Sequence, residues 1–488
     1  MKMRWIVKSR LWLVCGLVAA AAPLGCVNYG EPISAVQGGD APADSVQPQP
    51  LPLLPPSPMI MAEPTPVDVS EAHAEPPLSA MGEVPSPAPT VPSEPVVEPP
   101  PAPLPDPSSL PLLGSVTRPQ IDPALAATLG VLEYLAYAGN LATGLTRDDW
   151  DPTAGGGDSA SFIADYVVAS TGGSHTTVQA AITAAVAAGG TERRFIEVAA
   201  GSYREVVCVP AGAPPITLYG TSPDAAQTRI LFDNNAGKAK AAGSSANPCN
   251  PNAAATTFGT SGSATVAVMA SDFIALNLTL SNDTDEDAAD GSVQAVALLV
   301  QGDRVLFDNV RVLGNQGTLL AKSPNVDTVA RSYFRRCYVE GDSEFILGRG
   351  TLVLDGCTIH SLTDRIDDGT VLAASTDARN PYGFLINAAT FSADADADTS
   401  SLRLGRAWDE NQGDLDSYRA AVPSGVYPNG QVLVRNSTLG AHIESTEPWR
   451  SASSSNRPYA SAPGELPANR LYEFGNVGPG SASLAATP

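Results

Sequence analysis

Residues 120–488 are expected to fold as an all-β, right-handed parallel β-helix with a short N-terminal capping helix. Three features predict it. Six octapeptides share one pattern: 273–280 (FIALNLTL), 305–312 (VLFDNVRV), 332–339 (SYFRRCYV), 352–359 (LVLDGCTI), 384–391 (FLINAATF) and 432–439 (VLVRNSTL). Most begin with three apolar residues, turn polar or small at the fourth and fifth places, then alternate, which reads as a short strand with a corner. Their starts are 20 to 48 residues apart with no helical pattern between them, as in a solenoid whose coils differ by insertions on one face. A β-sandwich is the second choice. Finally, residues 177–188 (TVQAAITAAVAA) form a single convincing amphipathic helix, followed by strand, turn and strand at 194–198, 201–205 and 216–220, a suitable cap for an open solenoid end.

At the N-terminus, Lys2, Arg4, Lys8 and Arg10 precede an apolar run from 11 to 24 that is too short to span a bilayer comfortably, and then Gly25-Cys26. Residues 1–26 read as a lipoprotein-type signal peptide with Cys26 as the lipid-bearing residue, although Pro23 sits where an aliphatic residue is usual. Export, and attachment to the outer membrane or cell surface or residence in the periplasm, follow as expectations. Residues 27–119 read as a disordered linker: from 27 to 115 there is no lysine or arginine, and more than half of the chain's 44 prolines fall there. Such a tether reaches about 50 to 250 Å, depending on its stiffness.

The formal charge of −23 argues against nucleic acid and against an anionic membrane surface as partners. Arg331, Arg335, Arg336, Arg349, Arg365, Arg379, Arg403 and Arg406 concentrate in one part of the chain, and read either as a local positive field or as solvated faces. Cys337 and Cys357 share the sixth octapeptide place, so a β-helix would stack them one coil apart, about 4.8 Å, as a disulfide or as reduced core cysteines. Cys208 and Cys249 are a second possible pair. No cysteine–histidine spacing suggests zinc, and no cofactor is expected. The chain is expected to act as a monomer.

The stretch Glu340-Gly341-Asp342-Ser343-Glu344-Phe345-Ile346-Leu347-Gly348 places two carboxylates two residues apart. In an extended strand Asp342 and Glu344 would share a face, an arrangement suited to acid, base or nucleophile work. The plainer reading is a turn with a solvated acidic rim. Gly341-Asp342-Ser343 is superficially similar to a GDS-type serine esterase with His360 or His442 as base, but the chain has four histidines and no GxSxG elbow. Asp394, Asp396 and Asp398 read as an acidic loop, not as a calcium site.

From 166 to 439 the order of segments resembles the pectin methylesterases, β-helical carbohydrate esterases. The resemblance rests on Thr177-Val178-Gln179-Ala180-Ala181-Ile182, Ala200-Gly201-Ser202-Tyr203-Arg204-Glu205, Gly262-Ser263-Ala264-Thr265, Gln294-Ala295-Val296-Ala297-Leu298, Gly314-Asn315-Gln316-Gly317-Thr318-Leu319, the two-carboxylate stretch and Leu404-Gly405-Arg406-Ala407-Trp408. Glu340 to Glu344 followed by Gly348-Arg349-Gly350 is most similar to the bacterial outer-membrane lipoprotein branch. The resemblance implies a carboxylate nucleophile at Glu344, oxyanion-stabilising amides at Gln294 and Gln316, an arginine at Arg406 that holds the nucleophile, and a sugar-contacting Trp408. It also implies pectin, or a related acylated uronic-acid polysaccharide, as substrate.

Two positions depart from the family pattern. Glu344 stands where the family has a nucleophilic aspartate, and Gly317 stands where it has the general-acid aspartate. Asp342 is the candidate substitute acid. The favoured function is therefore a carboxylic ester hydrolase that demethylates pectin through an acyl-enzyme. The alternatives are an acyl or thioester hydrolase with a shifted substrate, and a glycan-binding β-helix with impaired catalysis.

Overall fold

The computed structural model describes residues 112–115, 117–240, 246–250, 254–287, 293–459 and 466–482. The signal peptide, Cys26 and the linker as far as 111 lie outside the described residues. What is described is a parallel β-helix of three sheets, with twelve, eight and seven strands. Each coil gives one strand to each sheet in turn. Arg331–Arg335, Tyr338–Gly341 and Ile346–Gly348 make one coil, and Thr351–Asp355, Thr358–Ser361 and Thr370–Ala374 the next. The register is continuous: Leu352 lies beside Ser332 on one side and Phe384 on the other.

The octapeptide is the corner between the first and second sheets. Its fifth residue adopts left-handed backbone in all six copies: φ is 56° at Asn277, 54° at Asn309, 54° at Arg336, 61° at Gly356, 51° at Ala388 and 52° at Asn436. Glycine and asparagine accept this conformation most readily, and they hold four of the six places. The Asn309 side-chain amide also donates to Asn277 Oδ1 at 2.8 Å, which ties two corners together. The sixth residue then turns inward, and Leu278, Val310, Cys337, Cys357, Ala389 and Ser437 are all buried. Cys337 and Cys357 stack as free thiols, with the Cys337 N–H donating to Cys357 Sγ at 3.3 Å. The bonded pair is Cys208–Cys249. Inside the solenoid Phe307 and Phe334 stack with their centroids 4.4 Å apart.

The cap is as expected. The helix Val178–Ala188 has Thr177 as its N-cap and buries Val178, Ala181, Ile182 and Ala185 over the first coil. Glu205 accepts from the N–H groups of Val178 and Gln179 at 2.8 and 2.9 Å, placing a carboxylate at the positive end of the helix.

Three expectations need correction. The folded domain begins before residue 120: Leu112–Ser115 pairs antiparallel with Arg118–Ile121, which joins the far end of the first sheet. Between there and residue 150, Tyr134, Leu135 and Tyr137 pack on the outer face of that sheet against Tyr333, Val353, Tyr382 and Leu385. Residues 451–488 read from the sequence as a loosely structured tail around the solenoid, but Arg470–Phe474 forms a further rung beside Gln431–Arg435. Third, the arginines make no free positive field. Arg331 pairs with Asp148 and Asp303, Arg335 and Arg336 with Asp308, Arg349 with Glu410, and Arg379 with Asp327 and Asp377.

Candidate active site

The site forms along the entrance to the third sheet. Gln294, Gln316 and Glu344 precede the neighbouring strands Leu298–Val300, Leu319–Ala321 and Ile346–Gly348. They therefore sit on consecutive rungs, about 4.8 Å apart. Backbone bonds fix their relative height: Ala295 N–H to Gln316 O at 3.0 Å and Leu319 N–H to Phe345 O at 2.7 Å. Arg406, on Arg403–Ala407, lies across from Ala373, which lies across from Leu347. The Nε of Arg406 is ion-paired with Glu344 Oε1. Trp408 packs on an apolar strip of the same sheet that includes Leu320, Leu347 and Ala373. Gln294, Gln316, Glu344, Arg406 and Trp408 are all partly exposed, so the five residues singled out from the sequence share one accessible surface.

Asp342 is not on that surface. Residues 342–344 form a bend, not an extended strand, and Glu344 has φ 46°, with its N–H bonded to Thr370 O. The left-handed residue breaks the two-residue alternation that would have put both carboxylates on one face. Asp342 is 2% exposed and belongs to a second, buried grouping. Arg365 binds its Oδ2 through Nε at 2.7 Å and Nη2 at 2.6 Å, and the same Nη2 reaches Glu286 Oε2 at 2.9 Å. Glu286 also accepts from the Gln316 backbone N–H, at 3.1 Å to Oε1. Burial pushes the Glu286 carboxyl up to about 8, with Arg365 opposing and Asp342 adding to the rise. Burial likewise raises Asp342, against the pull of Arg365.

In the sequence Arg365 is one arginine among eight, and Glu286 carries no signal of its own. Glu286 lies in an acidic run, Asp283-Thr284-Asp285-Glu286-Asp287, where nothing in the spacing distinguishes the one buried carboxylate from its solvated neighbours.

Gly317 has φ +81°, and a Cβ added there would meet only Gln294 Cβ and Cγ, at 3.7 and 3.9 Å. Among the described residues no group of histidine, cysteine and carboxylate side chains could hold a metal ion. His360 bonds to Ser392 Oγ at 3.0 Å and to Asp394 at 3.2 Å across neighbouring rungs of the second sheet, and burial lowers His442 to about 4.

The surface chemistry available is that of a carboxylate held by a guanidinium beside two amide donors. A carboxylate needs no deprotonation at neutral pH before it attacks an acyl carbon, and aligned amides suit an oxyanion formed beside it.

Comparison with known proteins agrees with that chemistry. The family model described as Pectinesterase matches residues 165–415. A pectinesterase of Ralstonia nicotianae is 45% identical over 378 residues, covering 76% of this chain and 94% of that protein. The structure of the rice weevil pectin methyl esterase superposes with a TM-score of 0.63 at 31% identity, covering 75% of this chain and 98% of the other. A pectin methylesterase in complex with a hexasaccharide gives a TM-score of 0.52 at 26% identity, over 66% and 91% of the two chains.

Proposed function

We propose, for a chain that belongs to the pectinesterase family, that Glu344 attacks the methyl-ester carbonyl of an esterified galacturonate unit. The protein is a carboxylic ester hydrolase, and the ester it cleaves is that of pectin. The observation that carries the assignment is the pairing of Glu344 with Arg406 on the rung next to Gln316 and two rungs from Gln294.

In the first half-reaction one Glu344 oxygen bonds to the ester carbon, and the carbonyl electrons move onto its oxygen. The Gln294 and Gln316 side-chain amides donate to that oxyanion. Arg406 binds Oε1 of Glu344 and so fixes which oxygen is presented. Collapse of the intermediate breaks the carbon–methoxy bond, leaves an anhydride between substrate and Glu344, and releases methanol once the methoxy oxygen takes a proton. Water then adds to the anhydride, loses a proton, and frees the uronate and Glu344. Trp408 offers its ring to a sugar beside the reacting unit. Gly317 cannot donate the methanol proton, and Asp342 is buried under the turn, so solvent supplies it. Lack of a positioned acid typically costs about 100- to 10,000-fold in rate.

The N-terminal readings belong to the same proposal. Residues 1–26 direct export, Cys26 takes lipid, and the domain works as a monomer on polysaccharide outside the cytoplasm, at the outer membrane or cell surface or in the periplasm. The Cys208–Cys249 bond supports an oxidising compartment.

The test is methanol release from highly methylated pectin by the purified protein beside Glu344→Ala. The esterase reading requires release by wild type and its loss in the variant. Folded wild type that releases nothing above blank would overturn it. Radiolabelled palmitate incorporated by wild type but not by Cys26→Ala tests the anchor.

A further inference from the structure

We infer that Glu286, Arg365 and Asp342 form a buried clamp that holds the oxyanion residue Gln316 at a set distance from the nucleophile Glu344. The inference rests on the esterase reading of the site.

The clamp spans four consecutive coils at one corner, where the chain passes from the second sheet to the third. Glu286 follows Thr279–Asn282, Gln316 follows Arg311–Leu313, Asp342 follows Tyr338–Gly341, and Arg365 follows Thr358–Ser361. One Arg365 nitrogen reaches both carboxylates, Glu286 at 2.9 Å and Asp342 at 2.6 Å, so the guanidinium fixes the first coil against the third. Each carboxylate residue then grips the site through the backbone. Glu286 accepts from the Gln316 N–H, and the Asp342 N–H donates to Asn315 O at 3.3 Å. Asp342 is two residues from Glu344, whose own N–H is bonded to Thr370 O in the coil that carries Arg365. The two halves of the reaction centre are thus joined through charged, buried side chains as well as through the sheet.

Gln316 needs such an anchor because Gly317 follows it. Glycine at φ +81° has no side chain to restrain the segment, and its backbone is freer than that of any other residue. A reacting group misplaced by about 1 Å can cost about 100-fold in rate.

The charge state of the clamp should tune it. The ionisable groups acting on Glu286 are Arg365, Asp342 and, on its own loop, Asp287. With one proton on the two clamp carboxylates, their charge balances that of Arg365. Once that proton leaves, two buried carboxylates face one guanidinium, and repulsion between them strains the Arg365 bridge, while the Gln316 N–H holds the ionised Glu286 more tightly.

The test uses the full protein with Glu286→Gln, Arg365→Met and Arg365→Lys, each checked for its melting temperature. Methanol release is followed from pH 5 to 9, with kcat and KM separated. Glu286→Gln keeps the shape and one acceptor, enough for Gln316, but cannot ionise and turns an amide NH2 toward Arg365 Nη2. Its kcat should fall by less than that of Arg365→Met, and its pH profile should lack the alkaline fall expected of wild type near pH 8. Arg365→Met should lower kcat by about 10- to 100-fold with little change in KM. Arg365→Lys, which keeps the charge but not the fork, should fall between the two and serves if the methionine variant does not fold. A wild-type alkaline limb retained in Glu286→Gln, or wild-type kcat in both Arg365 variants, overturns the clamp.

If neither wild type nor Glu344→Ala releases methanol, the esterase reading fails and amide hydrogen exchange decides the clamp by itself. Peptides covering 313–320 should then exchange at least about 10-fold faster in the Arg365 variants than in wild type, while 352–359 stays unchanged. Equal exchange in 313–320 overturns the clamp.

Discussion

Replacing Gly317 by aspartate should speed the enzyme at a small cost in stability, and both magnitudes follow from the structure. The added Cβ meets Gln294 Cβ and Cγ at 3.7 and 3.9 Å, ordinary contact distances, so no neighbour has to move. The penalty comes from the backbone. At φ +81° an L-residue costs about 1–2 kcal/mol, less for aspartate, which visits this region more readily than most. Part of that is offset by about 0.4–1 kcal/mol from the lower entropy of the unfolded chain. A net loss of about 1 kcal/mol lowers the melting temperature of a domain this large by no more than about 3 °C. On the catalytic side, a positioned carboxyl contributes about 100- to 10,000-fold, or about 3–5 kcal/mol of barrier. The assay is methanol release at saturating methylated pectin, where kcat of Gly317→Asp should rise at least about 10-fold with KM little changed. The double variant Gly317→Asp with Glu344→Ala should be inactive. An unchanged kcat in a Gly317→Asp protein that melts within a few degrees of wild type would refute the reasoning that proton delivery limits turnover. So would activity in the double variant.

Glu344→Asp withdraws the nucleophile by one methylene from its pairing with Arg406, and should change kcat by up to about 100-fold in either direction while leaving the melting temperature nearly constant. Reducing the Cys208–Cys249 bond, which closes a separation of 41 residues, should cost about 3–4 kcal/mol, read as a lower denaturant midpoint in dithiothreitol. Arg457→Met leaves the fully buried Asp409 without its ion-pair partner and should destabilise the fold by about 3–5 kcal/mol, measured by denaturant titration. Stability should also fall between pH 5 and 8 through Glu286. Its folded carboxyl, raised to about 8, holds a proton that the unfolded chain has already released, so raising the pH favours unfolding. That contribution is fully present below the ordinary glutamate value and is lost as the pH passes about 8. Glu286→Gln should flatten this part of a melting-temperature profile.

The sequence by itself determined the repeat and, through it, the fold. Each octapeptide carries its own corner, because the fifth residue is left-handed and the sixth turns inward, and both are local consequences of chain geometry that a short pattern records. The stacking of Cys337 on Cys357 follows from the same periodicity, since equivalent places in successive coils are neighbours in space. The cap at Thr177 was legible from its own helical pattern, and Gln294, Gln316, Glu344, Arg406 and Trp408 were singled out by the family resemblance. The tertiary structure decided what periodicity does not carry. The 342–344 bend departs from strand alternation because Glu344 is left-handed at a corner between sheets, so Asp342 goes inward while Glu344 remains at the surface. Which carboxylate in the run from 283 to 287 is buried depends on where Arg365 arrives three coils later, and that depends on loops of irregular length. Ion pairs of this kind form between residues far apart in the chain whose positions obey no repeat, and only the folded coils bring them within reach of one another.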